Sequence, residues 1–272
     1  MSGLSDKIKG TDNKAKANTV TMLRLGLYSR KKMDQLVTAT DVKFDYNREG
    51  ILHVFTDESS FEAAKKQAYY QETLGCKETM LTAQQCLDME PSLEHSPKDL
   101  IGGIHAHLDE CGDARAFTKN LASICTEKYG VKFHYNTDIQ HIVKENGSIT
   151  AVKTDKGDFT ADHYVMSLGS YSSIHLAKLG IQVPIYPMKG YSLTMPSTLY
   201  SPKMSITDQE AKIVYSCLGD SLRIAGTAEF AGYDQSLKEK RITPILRAIK
   251  RLFPKAVPED ESTIDRWACL RP

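Results

Sequence analysis

Apolar residues recur at helical spacing in the first part of the chain. Between positions 13 and 36 they follow one another at intervals of three to four residues or multiples of these, with Gly26 as the main interruption: Val20, Leu23, Leu27, Met33 and Leu36. One face of a helix repeats with this period. The pattern predicts a helix over 13–36, preceded by a loose polar stretch over 1–11.

Two further helices have recognisable ends. Asp57 is a good N-cap for a helix over 57–74, because its side chain can accept a hydrogen bond from the first turn. The clearest amphipathic pattern covers 113–129, and Gly130 stands where a left-handed residue often ends a helix. Shorter helices are predicted over 81–87, 171–179 and 243–252.

Runs rich in β-branched and aromatic residues, separated by turn-forming residues, indicate strands. The turns at 47–50, 145–147 and 155–158 are typical of connections between paired strands. The predicted strands are 42–44, 51–55, 101–107, 131–135, 139–143, 149–154, 163–167, 190–195, 213–217 and 222–226. Strands and helices mixed in this order predict an α/β or α+β protein with at least two interleaved sub-domains.

The composition is that of an ordinary globular protein. Hydrophobic residues make up 41% and charged residues 25% of the 272 residues, and the net charge of +1 gives no reason to expect nucleic-acid binding. The six cysteines are scattered without a C-x-x-C pair, which favours reduced thiols in a cytoplasmic protein. No apolar run has the length of a membrane span, and no signal peptide is visible at the start.

Common catalytic motifs are missing from the sequence. None of the 17 glycines forms a G-x-G pair, so there is no dinucleotide-binding fingerprint. The phosphate-binding loop of nucleotide hydrolases and the nucleophile elbow of α/β-hydrolases are also absent. Motifs alone therefore diagnose no catalytic class.

The stretch 105–111 is the most metal-like part of the chain. On a strand, His105, His107 and Asp109 would share one face, and two imidazoles with a carboxylate could bind zinc or iron. The alternative is the end of a strand followed by a polar loop. The sequence favours this alternative because no distant set of ligands accompanies the histidines, so no metal is expected.

Three other stretches carry residues suited to ligand binding. The turn Ser167, Leu168, Gly169, Ser170 lies between a strand and a helix, where small residues let a ligand approach the backbone. Arg271 follows Trp267, Cys269 and Leu270, and an arginine in apolar company often holds a carboxylate. Tyr186, Lys189 and Tyr191 could line a pocket. In each case an ordinary structural role, in turn geometry, at an exposed terminus or in strand packing, remains open.

Several segments, in order, resemble the small subunits of bacterial D-amino-acid dehydrogenases. These flavoproteins belong with D-amino-acid oxidase, glycine oxidase and sarcosine oxidase. The segments that carry the resemblance are 109–113, 117–122, 130–133, 164–172, 186–194 and 270–272. The likeness covers almost everything from about residue 12 onward.

The resemblance implies an FAD domain interleaved with a substrate domain built on a mixed, largely antiparallel sheet. The implied division is a tail and FAD-domain helix over 1–40, substrate-domain parts over 41–110 and 183–268, an FAD-domain segment over 111–182, and a return to the FAD domain over 269–272. Site roles follow position by position. Ile139 would lie near the adenine, Ser167 to Ser170 near the flavin, Arg271 at the substrate carboxylate, and Tyr191 beside the substrate pocket.

The implied reaction is oxidative deamination of a D-amino acid to a 2-oxo acid and ammonia. The hydrogen on the α-carbon would leave as a hydride to FAD, with no dedicated side-chain base. The implied electron acceptor is a membrane component, so a cytoplasmic protein that binds peripherally to the inner face of the bacterial inner membrane is expected.

The sequence departs from the family pattern at both ends. The glycine fingerprint that should precede position 13 is missing, and so is the segment expected after Pro272. We therefore expect a truncated or split product that is inactive alone. A split enzyme would obtain the missing flavin-domain pieces from adjacent chains. The alternatives are an inactive remnant or a non-enzymatic amino-acid-binding module.

Overall fold

The computed structural model describes residues 2–96 and 99–272, with side chains from residue 14 onward. A single long helix, α1 (Ser2–Thr40), opens the chain. The expected loose stretch over 2–11 is therefore wrong. Polarity alone suggested it, and polarity does not prevent a helix where no proline intervenes. The other helices are α2 (Glu58–Glu72), α3 (Ala83–Met89), α4 (Ala114–Tyr129), α5 (Ser172–Lys178) and α6 (Glu239–Leu252).

Eight strands form the large sheet that organises the molecule. In chain order they are β1 (Ile51–Phe55), β2 (Glu78–Thr82), β3 (Gly102–Ala106), β7 (Met188–Pro196), β8 (Ser205–Asp208), β9 (Ile213–Leu218), β10 (Ser221–Glu229) and β11 (Asp265–Arg271), with β4 to β6 elsewhere. Their order across the sheet is β11-β7-β10-β9-β8-β1-β3-β2. Only β1 and β8 run parallel, so the sheet is mixed and largely antiparallel, as expected.

A second sheet of three antiparallel strands lies in the middle of the chain. It contains β4 (Ile139–Glu145), β5 (Ser148–Thr154) and β6 (Gly157–Phe159), joined by tight turns. At the first turn, Asn146 and Gly147 both have positive φ (50° and 85°), which matches the hairpin predicted at 145–147. The third strand was not predicted.

Helix α6 covers one face of the large sheet. Its apolar side chains pack on alternate residues of β7 and β10, among them Leu193 and Ile224, which are fully buried. On the other face α2 covers only the β1–β3 side, where Phe61 packs beside Phe55 and Ile104. That second face is not covered in the same way along β11, β7 and β10, and it is there that a cavity lies.

Helix ends follow the predicted local chemistry. The Asp57 carboxylate accepts a hydrogen bond from Ser60 N (2.8 Å), as expected for the N-cap of α2. Asp113 caps α4 in the same way, and Gly130 ends it with a φ of 67°. Thr82 and Gln85 form a capping box at the start of α3, so residues 81–82, predicted as helix, end β2 instead.

Three predicted strands are absent. The residues at 42–44 form no ladder, because the Asp41 and Asp45 beside them have left-handed φ values of 53° and 51°. Residues 131–135 and 163–167 have no strand partner within the described residues. Their side chains are largely exposed, Val165 to 90%. The proposed domain boundaries remain predictions.

Candidate functional site

A cavity of about 520 Å³ lies on the uncovered face of the large sheet. Strand register explains which side chains meet there. Trp267 on β11, Ser192 on β7 and Ala225 on β10 face one another in one row, and Cys269 faces Gly190. Paired residues point to the same face. Leu222 and Ile224 on β10 and Leu193 on β7 are buried in the core. Because side chains alternate along a strand, their neighbours on each strand face the cavity.

Arg271 ends β11 at the rim of the cavity. It pairs with Met188 on β7, and its side chain reaches over Gly190. A Cβ added to Gly190 would lie 3.7 Å from Arg271 Nε, so the missing side chain leaves the guanidinium room to lie across the strand. The described residues give this guanidinium no carboxylate partner. An unpaired arginine on a cavity wall is a ready site for a carboxylate.

Tyr191 lines the same cavity, but its side chain is only 2% exposed and belongs to the core cluster. Its hydroxyl donates a hydrogen bond to Glu229 Oε2 (2.7 Å). Burial, and then this hydrogen bond, raise the pKa of the tyrosine. The proton of the Tyr191 hydroxyl is thus used in the hydrogen bond to Glu229.

The turn Ser167 to Ser170 lies beside β11. Gly169 takes a left-handed φ of 54° and opens a short 3-10 helix, Gly169–Tyr171. Ser170 is 4% exposed, and its hydroxyl has no hydrogen-bond partner among the described residues. The Ser170 carbonyl accepts a hydrogen bond from Tyr233 Oη (2.9 Å). The structure therefore brings this turn close to the strand that carries Arg271.

A charged cluster anchors the loop that holds the turn. Lys189 is fully buried and its Nζ lies 3.3 Å from Asp234 Oδ2, while Lys238 Nζ lies 2.9 Å from Glu229 Oε1. Hydrogen bonds from Ser236 and then the two lysines hold the pKa of Asp234 well below its usual range. This cluster fixes the loop containing Tyr233, and Tyr233 in turn holds the turn.

Ile139 is not part of the cavity. It begins β4 in the small sheet, where it pairs with Thr154. Its expected place near the adenine remains a prediction.

The two histidines of the metal-like stretch are engaged in protein hydrogen bonds. His105 Nε2 lies 2.7 Å from Glu49 O, and His107 Nε2 lies 2.6 Å from Thr79 Oγ1. In the described part of the chain, no three potential ligands come together as a metal site would require. The strand ends at Ala106, and a loop follows.

The sequence did not indicate that Ser192, Arg223 and Trp267 come together in one cavity. The centre of the Arg223 guanidinium lies 5.1 Å from the centre of the Trp267 ring. Alternation along 222–226 could have indicated that Arg223 points away from the core. Nothing in the sequence could have placed it beside Trp267, because the two residues lie on strands separated by β7.

Comparison with known proteins decides the family. The family described as FAD dependent oxidoreductase matches residues 3–272. The chain belongs to this family. A D-amino acid dehydrogenase from Paramagnetospirillum magneticum is 39% identical over 262 residues, which cover 96% of this chain and 61% of the relative. One from Chromohalobacter salexigens is 36% identical over 264 residues, or 96% and 62%. The chain thus spans about 62% of the length of such relatives.

Solved structures agree with this assignment. Glycine oxidase from Bacillus cereus superimposes with a TM-score of 0.80 at 25% identity, covering 92% of this chain and 68% of the oxidase. L-proline dehydrogenase from P. horikoshii gives 0.74 at 19% identity, covering 89% and 65%, and shows the fold alone. Of the helices described, none combines the length and the apolar character that crossing a membrane demands.

FAD is the cofactor of this family, and part of the structure fits it. The left-handed Gly169 and the Ser170 hydroxyl, buried and without a partner among the described residues, form a small-residue turn that contacts β11 and is suited to a flavin edge. The sequence contains no G-x-G pair, so no glycine loop of the kind that binds the FAD phosphates can be assigned in it.

Proposed function

We propose that this chain supplies the amino-acid-binding part of an FAD-dependent D-amino-acid dehydrogenase. The observation that carries the proposal is the unpaired Arg271 guanidinium on a cavity wall, at the end of the strand that Gly169–Tyr171 contacts. The relatives from Chromohalobacter salexigens and Paramagnetospirillum magneticum are named D-amino acid dehydrogenase, which supports the choice of substrate and reaction.

The proposed role of the protein is positioning. Arg271 binds the substrate carboxylate through paired hydrogen bonds, and Gly190 leaves space for the substrate above the strand. When FAD is bound it accepts the hydride that leaves the α-carbon. Water then hydrolyses the imino acid to the 2-oxo acid and ammonia. No described side chain is assigned as a base, and Tyr191 contributes by bordering the pocket.

The proposal extends to the segments at 131–135 and 163–167, which have no strand partner among the described residues. An exposed apolar stretch of extended backbone readily pairs with another strand. We propose that these two segments pair with strands of a second polypeptide that supplies the contacts to the FAD phosphates. An adjacent reading frame could encode that polypeptide. Ile139, at the start of β4, would then lie near the adenine.

A dehydrogenase of this kind passes electrons to an acceptor other than oxygen. The proposed acceptor is a membrane component, reached by a cytoplasmic protein that binds peripherally to the inner membrane. After cell fractionation at low salt the protein should remain with the washed membranes, and high salt should release it. Recovery only in the supernatant at low salt would contradict the proposed peripheral membrane location.

The reaction itself is tested by D-alanine-dependent reduction of a dye. The assay uses the chain with added FAD, alone and after co-expression with its neighbouring reading frames. We expect turnover with D-alanine and not with L-alanine. Turnover of neither isomer in any of these preparations would contradict the proposal.

Arg271→Met provides the test of the site. Because it removes a charged, paired hydrogen bond, kcat/KM for D-alanine should fall about 100-fold. Arg247→Met is the matched control, since Arg247 is an exposed arginine on α6, on the opposite face of the sheet. An equal effect of both substitutions would mean that Arg271 does not bind the substrate.

A further inference from the structure

The cavity contains more positive charge than a neutral amino acid requires. Lys212, Arg223 and Arg271 all line it, and among the residues that the structure describes no aspartate or glutamate does. Lys212 Nζ donates a hydrogen bond to the neutral Gln209 Oε1 (3.3 Å) and keeps its charge, so the cavity carries three cations, two of which are guanidinium groups. One α-carboxylate can neutralise one guanidinium. The second guanidinium therefore needs a further anion or must stay hydrated in the occupied site.

Arg223 is held in a defined position. Its neighbours on β10, Leu222 and Ile224, are fully buried in the core, so alternation directs Arg223 to the cavity face. There its guanidinium stacks on Trp267 at 5.1 Å. Stacking uses the flat face of the guanidinium and leaves the N–H groups at its edge free to donate. Among the described residues no carboxylate accepts them.

Ser192 adds a polar group between the two arginines. Its side chain is 2% exposed, lines the cavity and makes no hydrogen bond among the described residues. A buried hydroxyl without a partner costs free energy, which a bound acceptor would recover. Ser192 pairs with Trp267 across the sheet, so its side chain is on the same face as the stack of Arg223 on Trp267.

The spacing suits a short dicarboxylate. Arg271 reaches over Gly190, and the stack joins Trp267, opposite Ser192, to Arg223, opposite Thr194. The stack therefore lies two to four residues further along β7, or about 7 to 13 Å. The two guanidinium groups are on the same face of the sheet, and we infer that each can receive one carboxylate of a four- or five-carbon diacid.

We propose that Arg223, Trp267 and Ser192 form a second anion subsite, which receives the side-chain carboxylate of D-aspartate or D-glutamate while Arg271 holds the α-carboxylate. The amino-acid half of this inference rests on the proposed function. The diacid half rests on the cavity alone.

The test uses Trp267, the only tryptophan of the chain, as its own reporter. Its fluorescence is titrated in the full chain with D-glutamate, D-glutamine, D-alanine and glutarate, a diacid without an amine. D-Glutamate and D-glutamine differ only in the side-chain charge. We expect D-glutamate to bind about 10-fold or more tighter than D-glutamine, as a charge-assisted hydrogen bond allows.

Arg223→Met should bring the affinity for D-glutamate within about 3-fold of that for D-glutamine, leaving D-glutamine and D-alanine nearly unchanged. Arg247→Met, on the far face, should preserve the preference. Circular dichroism checks that each variant folds. If Arg223→Met does not fold, the comparison of D-glutamate with D-glutamine in the unsubstituted protein still decides.

Two failures can be told apart. Equal affinities for D-glutamate and D-glutamine, or an equal loss of both in Arg223→Met, would overturn the second subsite while D-alanine binding left the proposed function intact. Glutarate binding that depends on Arg223, with no binding of any D-amino acid, would support the anion subsite and contradict the proposed amino-acid substrate.

Discussion

Glu90 shows how much one buried carboxylate can hold together. It is 2% exposed, and its Oε2 accepts hydrogen bonds from the backbone N–H groups of Lys203 (2.8 Å) and Met204 (3.1 Å). Its Oε1 accepts a third from Ser92 N (3.2 Å). One side chain thus joins the segment after α3 to the residues that lead into β8.

Replacing Glu90 with alanine leaves those three N–H groups without their partner. Each unsatisfied buried donor costs about 1 kcal/mol or more, so we expect the free energy of unfolding to fall by about 3 kcal/mol. Urea unfolding measures this loss. The control, Glu94→Ala, changes an exposed carboxylate four residues away and should have an effect within about 0.5 kcal/mol. A loss below about 1 kcal/mol in Glu90→Ala would contradict the role given to this residue.

His53 makes stability depend on pH. It lies on β1, and its Nδ1 accepts a hydrogen bond from Gln209 Nε2 (2.8 Å), which requires the neutral ring. Burial, and then the nearby His105, lower the pKa of His53, and Asp109 opposes this in part. A histidine with a depressed pKa stabilises the fold while neutral. That contribution is present above the ordinary pKa of about 6.5 and is lost as the pH falls.

We therefore expect His53→Gln to flatten the pH dependence of unfolding as the pH falls below the ordinary histidine pKa of about 6.5. Urea unfolding at several pH values tests this. His163→Gln, at an exposed position, serves as the matched control and should leave the slope unchanged. If the slope of His53→Gln equals that of the unsubstituted protein, His53 is not the group responsible.

At the scale of elements, the loop after β10 positions the turn at 167–170. Tyr233 donates to Ser170 O, and Gln235 Nε2 donates to Tyr171 Oη (2.8 Å). Tyr233→Phe removes the bond to Ser170 O and the one between Tyr233 Oη and Ser173 Oγ (3.2 Å), and it keeps the ring contact with Tyr171. We expect faster amide exchange within 167–171 and a loss of global stability of about 1 to 2 kcal/mol, as for two hydrogen bonds.

Hydrogen exchange with mass spectrometry resolves this local change. Tyr129→Phe is the control, because Tyr129 is 68% exposed at the end of α4. Unchanged exchange at 167–171 in Tyr233→Phe would show that the turn holds its position without the loop.

Local sequence signals predicted elements well where the element depends only on residues close in the sequence. The N-cap Asp57 and the end of α4 at Gly130 were predicted from neighbouring residues alone, and β7, β9 and β10 from their apolar runs. A strand, however, exists only when another strand pairs with it. Residues 131–135 and 163–167 have strand-like composition but no partner among the described residues, so their pattern misled.

The candidate site shows the same limit. Arg271 and the turn at 167–170 were singled out from local sequence, the family resemblance suggested their roles, and Arg223 was not identified. Its importance comes from register: β10 pairs with β7, β7 with β11, and only that arrangement sets Arg223 against Trp267. Pairings between distant parts of the chain cannot be obtained from local periodicity.

At the scale of the whole molecule, the two sheets differ in how completely they are packed. The large sheet has a continuous core against α6, with Ile245, Ile249 and Leu252 nearly or fully buried. Helix α4, which precedes the small sheet in the chain, has no buried residue, although it has an apolar face. Protection from solvent should therefore be uneven, since local stability follows buried apolar contact and hydrogen bonding.

Hydrogen exchange of the whole chain tests this difference. Amides of 131–135 and 163–167 should exchange rapidly, because they lack ladder hydrogen bonds, while those of β7 and β10 should be the slowest. Co-purification with the proposed strand-supplying polypeptide should slow exchange at both segments and leave β7 unchanged. Protection equal to that of β7 in the chain alone would show that these segments already have partners. Exchange at both segments that stays rapid in the co-purified complex would mean that the partner docks elsewhere.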